Sequence, residues 1–282
     1  MVVRGRKNRR RIDQTAVRAA AVGFAARAAR FLGVLLALGA LAVGAAWGTR
    51  HLRAWLFTSP TFAIEQFAFE GIEHAEEAEL IRLGGIRPGD NIFEADLALA
   101  ERAMAAHPWV EQATIDRVYP RKLKVQIVEH QPAALTDLGG LYYVNPSGKA
   151  FKRLVPGESA DLPILRGVGR EEYSAAPEDG EALFKEALDA MALYREAGLE
   201  PRAEVSEIGI DKLEGLTFFL GDDAVAVKLG QGELEKKFTR LGQLFDELSR
   251  RGARAEVIRL DNRTRPGWVA VQLAEAAQRR GQ

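Results

Sequence analysis

The sequence predicts an α+β protein in which a single transmembrane helix is followed by a small module ordered β-α-α-β-β and by a larger β-rich module with two helices. Three observations predict this class. A run of 19 uncharged residues lies near the N-terminus, alternating apolar and polar residues with turn signals follow it, and two later segments carry apolar residues at helical spacing. With 282 residues, of which 47% are hydrophobic, the chain can bury the cores of one or two domains.

The charge of the chain is unevenly distributed. The formal net charge is zero, with 39 basic and 39 acidic residues. Residues 1–30 nevertheless contain nine Lys or Arg and the single acid Asp13. We therefore predict a basic tail over residues 1–30 that stays in the cytoplasm, and contact with membrane lipid headgroups explains its charge better than nucleic acid does. The basic residues are Arg4, Arg6, Lys7, Arg9, Arg10, Arg11, Arg18, Arg27 and Arg30.

Residues 31–49 are predicted to form the transmembrane helix. The run from Phe31 to Thr49 carries no charge and lies between Arg30 and Arg50. At about 1.5 Å per residue it spans roughly 28 Å, close to the hydrocarbon thickness of a bilayer. Lys and Arg are nearly balanced close to its two ends, and the run Arg4–Arg11 favours an N-terminus in the cytoplasm. Residues 50–61 are predicted to be a linker.

Three other interpretations of the apolar run remain open. A cleaved signal peptide also has basic residues before an apolar stretch, but its first region is normally much shorter than 30 residues. A twin-arginine export signal would place its arginines closer to the run than Arg9-Arg10-Arg11. A buried helix of a soluble protein rarely has 19 uncharged residues in succession.

Residues 62–131 are predicted to form the first module. A strand from Phe62 ends at Gly71, and a short helix at Ala75–Leu83 ends before Gly84. A second helix is capped by Asp96 and ends near His107-Pro108. The two closing strands, Trp109–Arg117 and Leu123–Glu129, are joined by a turn at Tyr119-Pro120-Arg121.

Residues 132–275 are predicted to form the second module, and residues 276–282 a tail. Apolar residues at helical spacing predict helices at Glu181–Ala197 and Glu233–Arg250, which end before Gly198 and Gly252. Alternation and turn signals predict the strands of this module. These are Leu141–Val144, Ala150–Leu154, Val205–Ile210, Leu216–Leu220, Val225–Leu229, Glu256–Leu260 and Trp268–Leu273.

The residue content predicts no enzyme, no cofactor and no metal site. The absence of cysteine excludes disulfides, thiol catalysis and cysteine-ligated metal. No Ser lies in a Gly-x-Ser-x-Gly elbow, and Gly230-Gln231-Gly232 lacks the Lys and Ser or Thr of a phosphate-binding loop. The four histidines do not have metal-ligand spacing, and we expect surface or capping roles for them. They are His51, His74, His107 and His130.

Several strings, in this order after one span, resemble the FtsQ/DivIB family of bacterial cell division proteins. The resemblance covers residues from about 31 to 273 and implies a polypeptide-transport-associated (POTRA) domain at 62–131 followed by an FtsQ-type β domain at 132–275. Asn145 stands where these sequences often carry an acid, and either residue suits a turn. The strings are Gly71, GDNIFEAD (Gly89–Asp96), HPWV (His107–Val110), DRVYPRKLKVQIVEHQP (Asp116–Pro132) and LDNRTRPGWVAVQL (Leu260–Leu273).

The resemblance implies a bitopic inner-membrane scaffold of the divisome. Its C-terminal domains would lie in the periplasm at the division septum and link early and late division proteins. The implied partners are FtsB and FtsL at the C-terminal strand and FtsK at the POTRA domain. POTRA domains also serve outer-membrane protein assembly or secretion, but those proteins need a barrel of many alternating strands, and the last hundred residues here predict two helices. A periplasmic enzyme is the third hypothesis.

The predicted partner-binding residues lie at the last strand. A strand near the C-terminus forms a sheet edge that can accept an incoming strand, and Trp268, Val269 and Val271 would supply its apolar side chains. An alternative in which Trp268 and Val269 simply alternate between core and surface remains open. By resemblance, Asp261, Arg263 and Gly267 belong to the same terminal hairpin. Thr264 stands where the family commonly has an aromatic residue.

Overall fold

The computed structural model describes residues 14–158, 160–262, 264–265 and 267–274. Its first element, α1 (Gln14–Thr58), is a helix of 45 residues. The segment Ala29–Thr58 of α1 is long and apolar enough to cross a membrane, and its most apolar 18-residue window has a mean hydropathy of 2.0. The basic residues predicted between positions 1 and 13 lie outside the described residues.

The helix extends nine residues beyond the predicted span, so the predicted linker is helical as far as Thr58. No Gly or Pro occurs between Arg50 and Ser59, and nothing local stops the helix before Pro60. A single 3-10 turn, Pro60–Phe62, follows and is capped by the Ser59 hydroxyl. The prediction that a strand begins at Phe62 is therefore wrong, because this residue closes the turn.

The first module has the predicted order. Its elements are β1 (Gln66–Glu70), α2 (Glu77–Gly84), α3 (Leu97–Met104), β2 (Val110–Val118) and β3 (Lys122–Glu129). The three strands form one sheet in the order β1-β3-β2. Helix α3 begins directly after Asp96, as predicted, but ends three residues before His107.

The second module is built on a nine-stranded mixed sheet. Its strand order is β12-β11-β10-β9-β8-β7-β4-β5-β6. The pairs β4/β7, β7/β8 and β10/β11 are parallel, and the other neighbours are antiparallel. The strands are β4 (Ala134–Asp137), β5 (Leu141–Val144), β6 (Ala150–Arg153), β7 (Ile164–Arg166), β8 (Val205–Asp211), β9 (Gly215–Leu220), β10 (Val225–Gly230), β11 (Ala255–Arg259) and β12 (Ala270–Leu273).

In the part of this module that the structure describes, three helices accompany the sheet, one more than predicted. They are α4 (Arg170–Ala175), α5 (Pro177–Glu196) and α6 (Leu234–Arg251). Strands β4 and β7 and helix α4 were not predicted. Segments of three to six residues are too short to show a period, and β4 and β7 exist because they pair with each other in parallel, Leu135 with Ile164.

The core of the second module lies between the sheet and the helices α5 and α6. Tyr194 of α5, Phe218 of β9 and Phe238 of α6 are fully buried, with ring centroids 5.5 to 5.9 Å apart. Such aromatic packing adds to the free energy gained from burial alone. Gly252 ends α6 in the left-handed conformation, as its position in the sequence predicts.

The last strand is shorter than predicted. Residues 270–273 pair with β11, from Arg259↔Ala270 to Ala255↔Leu273. Trp268 lies before this ladder, because its backbone N–H donates to Arg265 O at 2.9 Å and closes a turn. Trp268 and Val269 are therefore not part of the strand.

The described residues group into two compact units. The first holds the residues up to Ala68 together with Ile86–Asp96 and Asp116–Lys124. The second holds Phe69–Gly85, Leu97–Ile115 and the residues from Val125 onwards. Residues 62–131 are thus shared between the two units, and the predicted boundary at position 132 stays a prediction.

Candidate partner-binding surface

Strand β12 is an edge of the nine-stranded sheet. Ala274 donates its backbone N–H to Arg254 O at 2.9 Å, across the β11–β12 ladder. Along a strand the N–H and C=O groups point to alternate sides. The backbone groups of Gln272 therefore point towards β11, whereas those of Val271 and Leu273 point outwards and can pair with an added strand.

The side chains of this segment divide into two sets. Val269 and Val271 are half-buried and pack against the core of the second module. Ala270 and Gln272 are exposed, and so is Leu273, at 54%. Their packing holds the strand on the core, and the predicted contact of both valines with a partner stays a prediction.

Trp268 is the large exposed apolar side chain next to the edge. Its exposed fraction is 62%. The guanidinium carbon of Arg265 lies 4.5 Å from the centre of its ring. This cation–π contact orients the indole without burying it, and Trp and Arg are the residue types most often found at binding hot spots.

Asp261 lies at the wall of a neighbouring cleft of about 620 Å³. Its carboxylate accepts hydrogen bonds from Arg259 Nε and Nη2 at 3.3 and 3.1 Å. These bonds lower the pKa of Asp261, although partial burial opposes the shift. Gly230, at φ +67°, lies so close that a Cβ there would be 3.0 Å from the Asp261 Cβ.

The buried Lys237 holds the loop that lies between β10 and α6 beside this cleft. Its Nζ donates to Gln231 O and Gly232 O at 2.8 and 2.7 Å. Burial, followed by repulsion from Arg240, lowers the pKa of Lys237. The ammonium group is used inside the protein, which agrees with the prediction of a tight turn rather than a phosphate site at Gly230–Gly232.

The segment before Trp268 is a turn organised by Asn262. The Asn262 Oδ1 accepts hydrogen bonds from the Thr264 N–H, the Thr264 hydroxyl and the Arg265 N–H, at 3.1, 2.9 and 3.0 Å. Thr264 is exposed and serves this turn. Gly267 is also exposed, and open space surrounds the position of a Cβ. The predicted Arg263 lies outside the described residues.

The structure brings Asp261, Trp268 and β12 to one end of the sheet through Arg259. This residue pairs with Ala270 in the ladder and binds the carboxylate of Asp261. Arg259, Arg265 and Leu213 were not predicted as site residues, and Leu213 lines the same cleft and is 81% exposed. Leu213 could have been predicted as an exposed apolar residue, because it lies between Lys212 and Glu214 in a turn.

Two of the four histidines are buried rather than on the surface, although the His107 Nδ1 has a capping role, since it accepts the backbone N–H of Trp109 at 3.3 Å. His107 and His130 are 8% and 4% exposed. The His107 ring is 3.5 Å from a Glu79 oxygen, and the His130 Nδ1 is 3.1 Å from the Asn145 amide nitrogen. Among the described residues no three His, Asp or Glu side chains converge on a possible metal position.

A helix long and apolar enough to cross a membrane, a β-α-α-β-β module and a mixed sheet with an open edge define a protein with one candidate membrane span followed by two α+β modules. The model for the FtsQ-type POTRA domain matches residues 62–130, and the model for the C-terminal part of cell division protein FtsQ/DivIB matches residues 133–263. The chain therefore belongs to the FtsQ/DivIB family of cell division proteins. This membership decides against the outer-membrane assembly and enzyme hypotheses.

Individual relatives agree with the family models. The chain is 38% identical over 279 residues to the cell division protein FtsQ of Myxococcus fulvus, covering 97% of this chain and 96% of the relative. It is 40% identical over 240 residues to FtsQ of an Anaeromyxobacter species, covering 85% and 80%. FtsQ of Geotalea daltonii is 33% identical over 200 residues, covering 71% and 73%.

Proposed function

We propose that this protein is a bitopic inner-membrane connector that links early and late divisome proteins at the septum. Its N-terminus would lie in the cytoplasm and the residues after α1 in the periplasm. The partners would be FtsB and FtsL at β12 and FtsK at the POTRA domain. One observation carries the proposal, namely the outer side of β12, which pairs with no strand among the described residues, beside the exposed Trp268.

Strand addition at β12 fits the chemistry of this edge. The outward backbone groups of Val271 and Leu273 would supply main-chain hydrogen bonds, and Trp268 would supply an apolar anchor. The two valines that pack on the core keep the strand in place before the partner arrives. An edge fixed in advance loses less conformational entropy on binding.

The test of the edge uses Leu273→Pro and Leu273→Ala in the full-length protein. Proline removes the outward N–H and leaves the inward ladder bonds of β12 intact, whereas alanine removes only the side chain. Affinity capture from membranes containing FtsB and FtsL of the same organism should lose both partners with Leu273→Pro and keep them with Leu273→Ala. Equal capture by the two variants would contradict strand addition.

The proposed orientation is tested with single cysteines, since the chain has none of its own. In spheroplasts, a membrane-impermeant maleimide should label Leu213→Cys and leave Gly5→Cys unlabelled until the membrane is broken. Labelling of Gly5→Cys in intact spheroplasts would reverse the orientation. Processing of the chain near Ala46 would exclude a permanent anchor.

A further inference from the structure

We propose that the tip of the β2–β3 hairpin, Val118 and Tyr119, lies in the lipid headgroup layer of the membrane that α1 crosses. The inference rests on α1 spanning a bilayer, as proposed above. Both side chains are exposed, at 42% and 57%. Val118 ends β2 and Tyr119 begins the turn, and neither residue is part of the buried core. The contacts around this turn indicate which surroundings the two side chains have.

The C-terminal end of α1 is fixed to the other segments of the first compact unit. The Asn91 Nδ2 donates to Leu56 O and Phe57 O, both at 2.9 Å, and satisfies carbonyl groups that the helix end leaves without partners. The Phe93 ring packs against Phe57 and Phe62, with centroids 6.1 and 5.0 Å away. The residues around Asn91 and Phe93 are therefore held at a defined distance along the helix.

The hairpin tip is fixed to the same point. The Tyr119 ring stacks on Phe93 with centroids 5.3 Å apart. Arg117 donates from Nε and Nη2 to Ile92 O and Ala95 O, at 2.6 and 2.7 Å. Two ring contacts thus join Tyr119 to Phe57 of α1, and the hairpin tip cannot move away from the helix without breaking both.

The height of this cluster above the hydrocarbon follows from the helix rise. Phe57 lies eight residues beyond Thr49, or about 12 Å along the axis, which is beyond a headgroup layer of about 5 to 7 Å if the hydrocarbon ends at Thr49. The candidate span continues to Thr58, however, and helix tilt and the long side chains of Arg50 and Arg53 allow the hydrocarbon to end after Arg50. The cluster then lies at the level of the headgroups, and Tyr119 is joined to it through Phe93.

The exposed side chains of α1 that precede Phe57 indicate how far along the helix the membrane interface extends. Leu52 and Trp55 are 57% and 54% exposed, and both lie beyond Arg50. Exposed Leu and Trp at this position suit the membrane interface, where Trp and Tyr are enriched and where Arg50 and Arg53 can extend their charges to the headgroups. The ring centroids of Trp55 and Phe62 are 5.7 Å apart. The side chains that suit the membrane interface are therefore in contact with the aromatic cluster that holds Tyr119.

The test measures depth in the bilayer. Val118→Cys carries a fluorophore in the full-length protein, reconstituted in vesicles of phosphatidylethanolamine and phosphatidylglycerol with nitroxide on either the headgroup or the acyl chain. Arg53→Cys marks the headgroup depth, Leu38→Cys the hydrocarbon and Leu213→Cys an exposed position of the second unit. We expect headgroup nitroxide to quench the label at 118 as strongly as the label at 53, and acyl-chain nitroxide to quench it much less than the label at 38.

The outcomes separate this inference from the proposed anchor. If the label at 38 is not quenched by acyl-chain nitroxide, α1 does not span the bilayer and the anchor fails. If the label at 38 is quenched and neither nitroxide quenches the label at 118, the anchor stands and the hairpin inference fails. Adding Tyr119→Ser should reduce quenching at 118. A label at 118 that resists both lipid nitroxide and aqueous iodide would place another protein there and overturn the inference.

Discussion

His74 and Glu129, 55 residues apart in the chain, are joined by a 2.9 Å contact between the ring Nδ1 and the carboxylate Oε2. The Glu129 side chain is 2% exposed. It also accepts the backbone N–H groups of Glu73, His74 and Ala75, with shortest distances of 3.1, 2.9 and 2.9 Å. The last residue of β3 therefore fixes the segment that leads into α2.

We expect Glu129→Gln to destabilise the protein by about 2 to 3 kcal/mol, because the amide loses the charge and, whichever way it is turned, its NH₂ group faces at least the backbone N–H of His74, which donates to both carboxylate oxygens. Urea unfolding of the full-length protein in detergent, followed by tryptophan fluorescence, measures the change. Glu76→Gln is the control, because Glu76 is exposed and caps α2 without a side-chain hydrogen bond. Equal urea midpoints for Glu129→Gln and Glu76→Gln would contradict the stabilising role of the Glu129 carboxylate.

The same carboxylate predicts a pH dependence. Burial raises the pKa of Glu129, but the hydrogen bonds from Ala75, Glu73 and His74 together lower it below its usual value of 4.5. The unfolded state then binds a proton more readily, so this stabilisation is complete above pH 4.5 and is lost as the pH falls through the lower folded-state pKa. The difference in unfolding free energy between wild type and Glu129→Gln should shrink in that acidic range. A constant difference would exclude this linkage.

Gly71 and Gly85 allow the cost of a left-handed backbone conformation to be compared with the cost of a steric clash. Both have positive φ, +82° and +69°. A Cβ at Gly71 would lie 2.1 Å from Ile127 O, whereas a Cβ at Gly85 meets open space. We expect Gly85→Ala to cost about 1 kcal/mol for the left-handed conformation, and Gly71→Ala to cost more than about 3 kcal/mol because the backbone must also shift. Thermal unfolding of both variants under one condition checks the order.

Trp268→Ala should separate binding from stability. Since the ring is exposed and lies outside β12, the unfolding free energy should change by less than about 0.5 kcal/mol. Binding of FtsB with FtsL should weaken by about tenfold or more if Trp268 is an anchor. Leu213→Ala, at an even more exposed apolar residue, gives the comparison. Unchanged affinity in titrations of Trp268→Ala would remove this residue from the proposed surface.

Asn91→Asp should loosen the connection between α1 and the first compact unit. Aspartate keeps the oxygen that accepts the Phe93 N–H at 2.9 Å, but it loses both donors and places a negative charge at the C-terminal end of a helix. Hydrogen exchange should accelerate in residues 54–62 and remain unchanged in α6. Glu94→Ala, at an exposed position of the same loop, should leave both regions as in wild type.

The local sequence pattern was sufficient to predict most helices and strands, because the spacing of apolar residues is visible within each of these segments. The uncharged run predicted the membrane helix, and apolar spacing predicted α5 and α6. Strands β4 and β7, of four and three residues, could not be predicted, since a parallel pair of this length is stabilised only by partners far along the chain. The continuation of α1 to Thr58 was predictable from the lack of a helix breaker.

The sequence by itself determined the apolar helix of membrane-spanning length, the order of the two modules and the family, because composition, periodicity and ordered motifs are properties of the chain alone. Only the tertiary structure decided which polar groups are buried and which strand residues remain free. His130 and Glu129 are buried because distant residues supply their partners, and Val271 packs on the core whereas Trp268 stays exposed because the ladder with β11 begins at Ala270. Burial and edge position depend on contacts between segments, which no local pattern records.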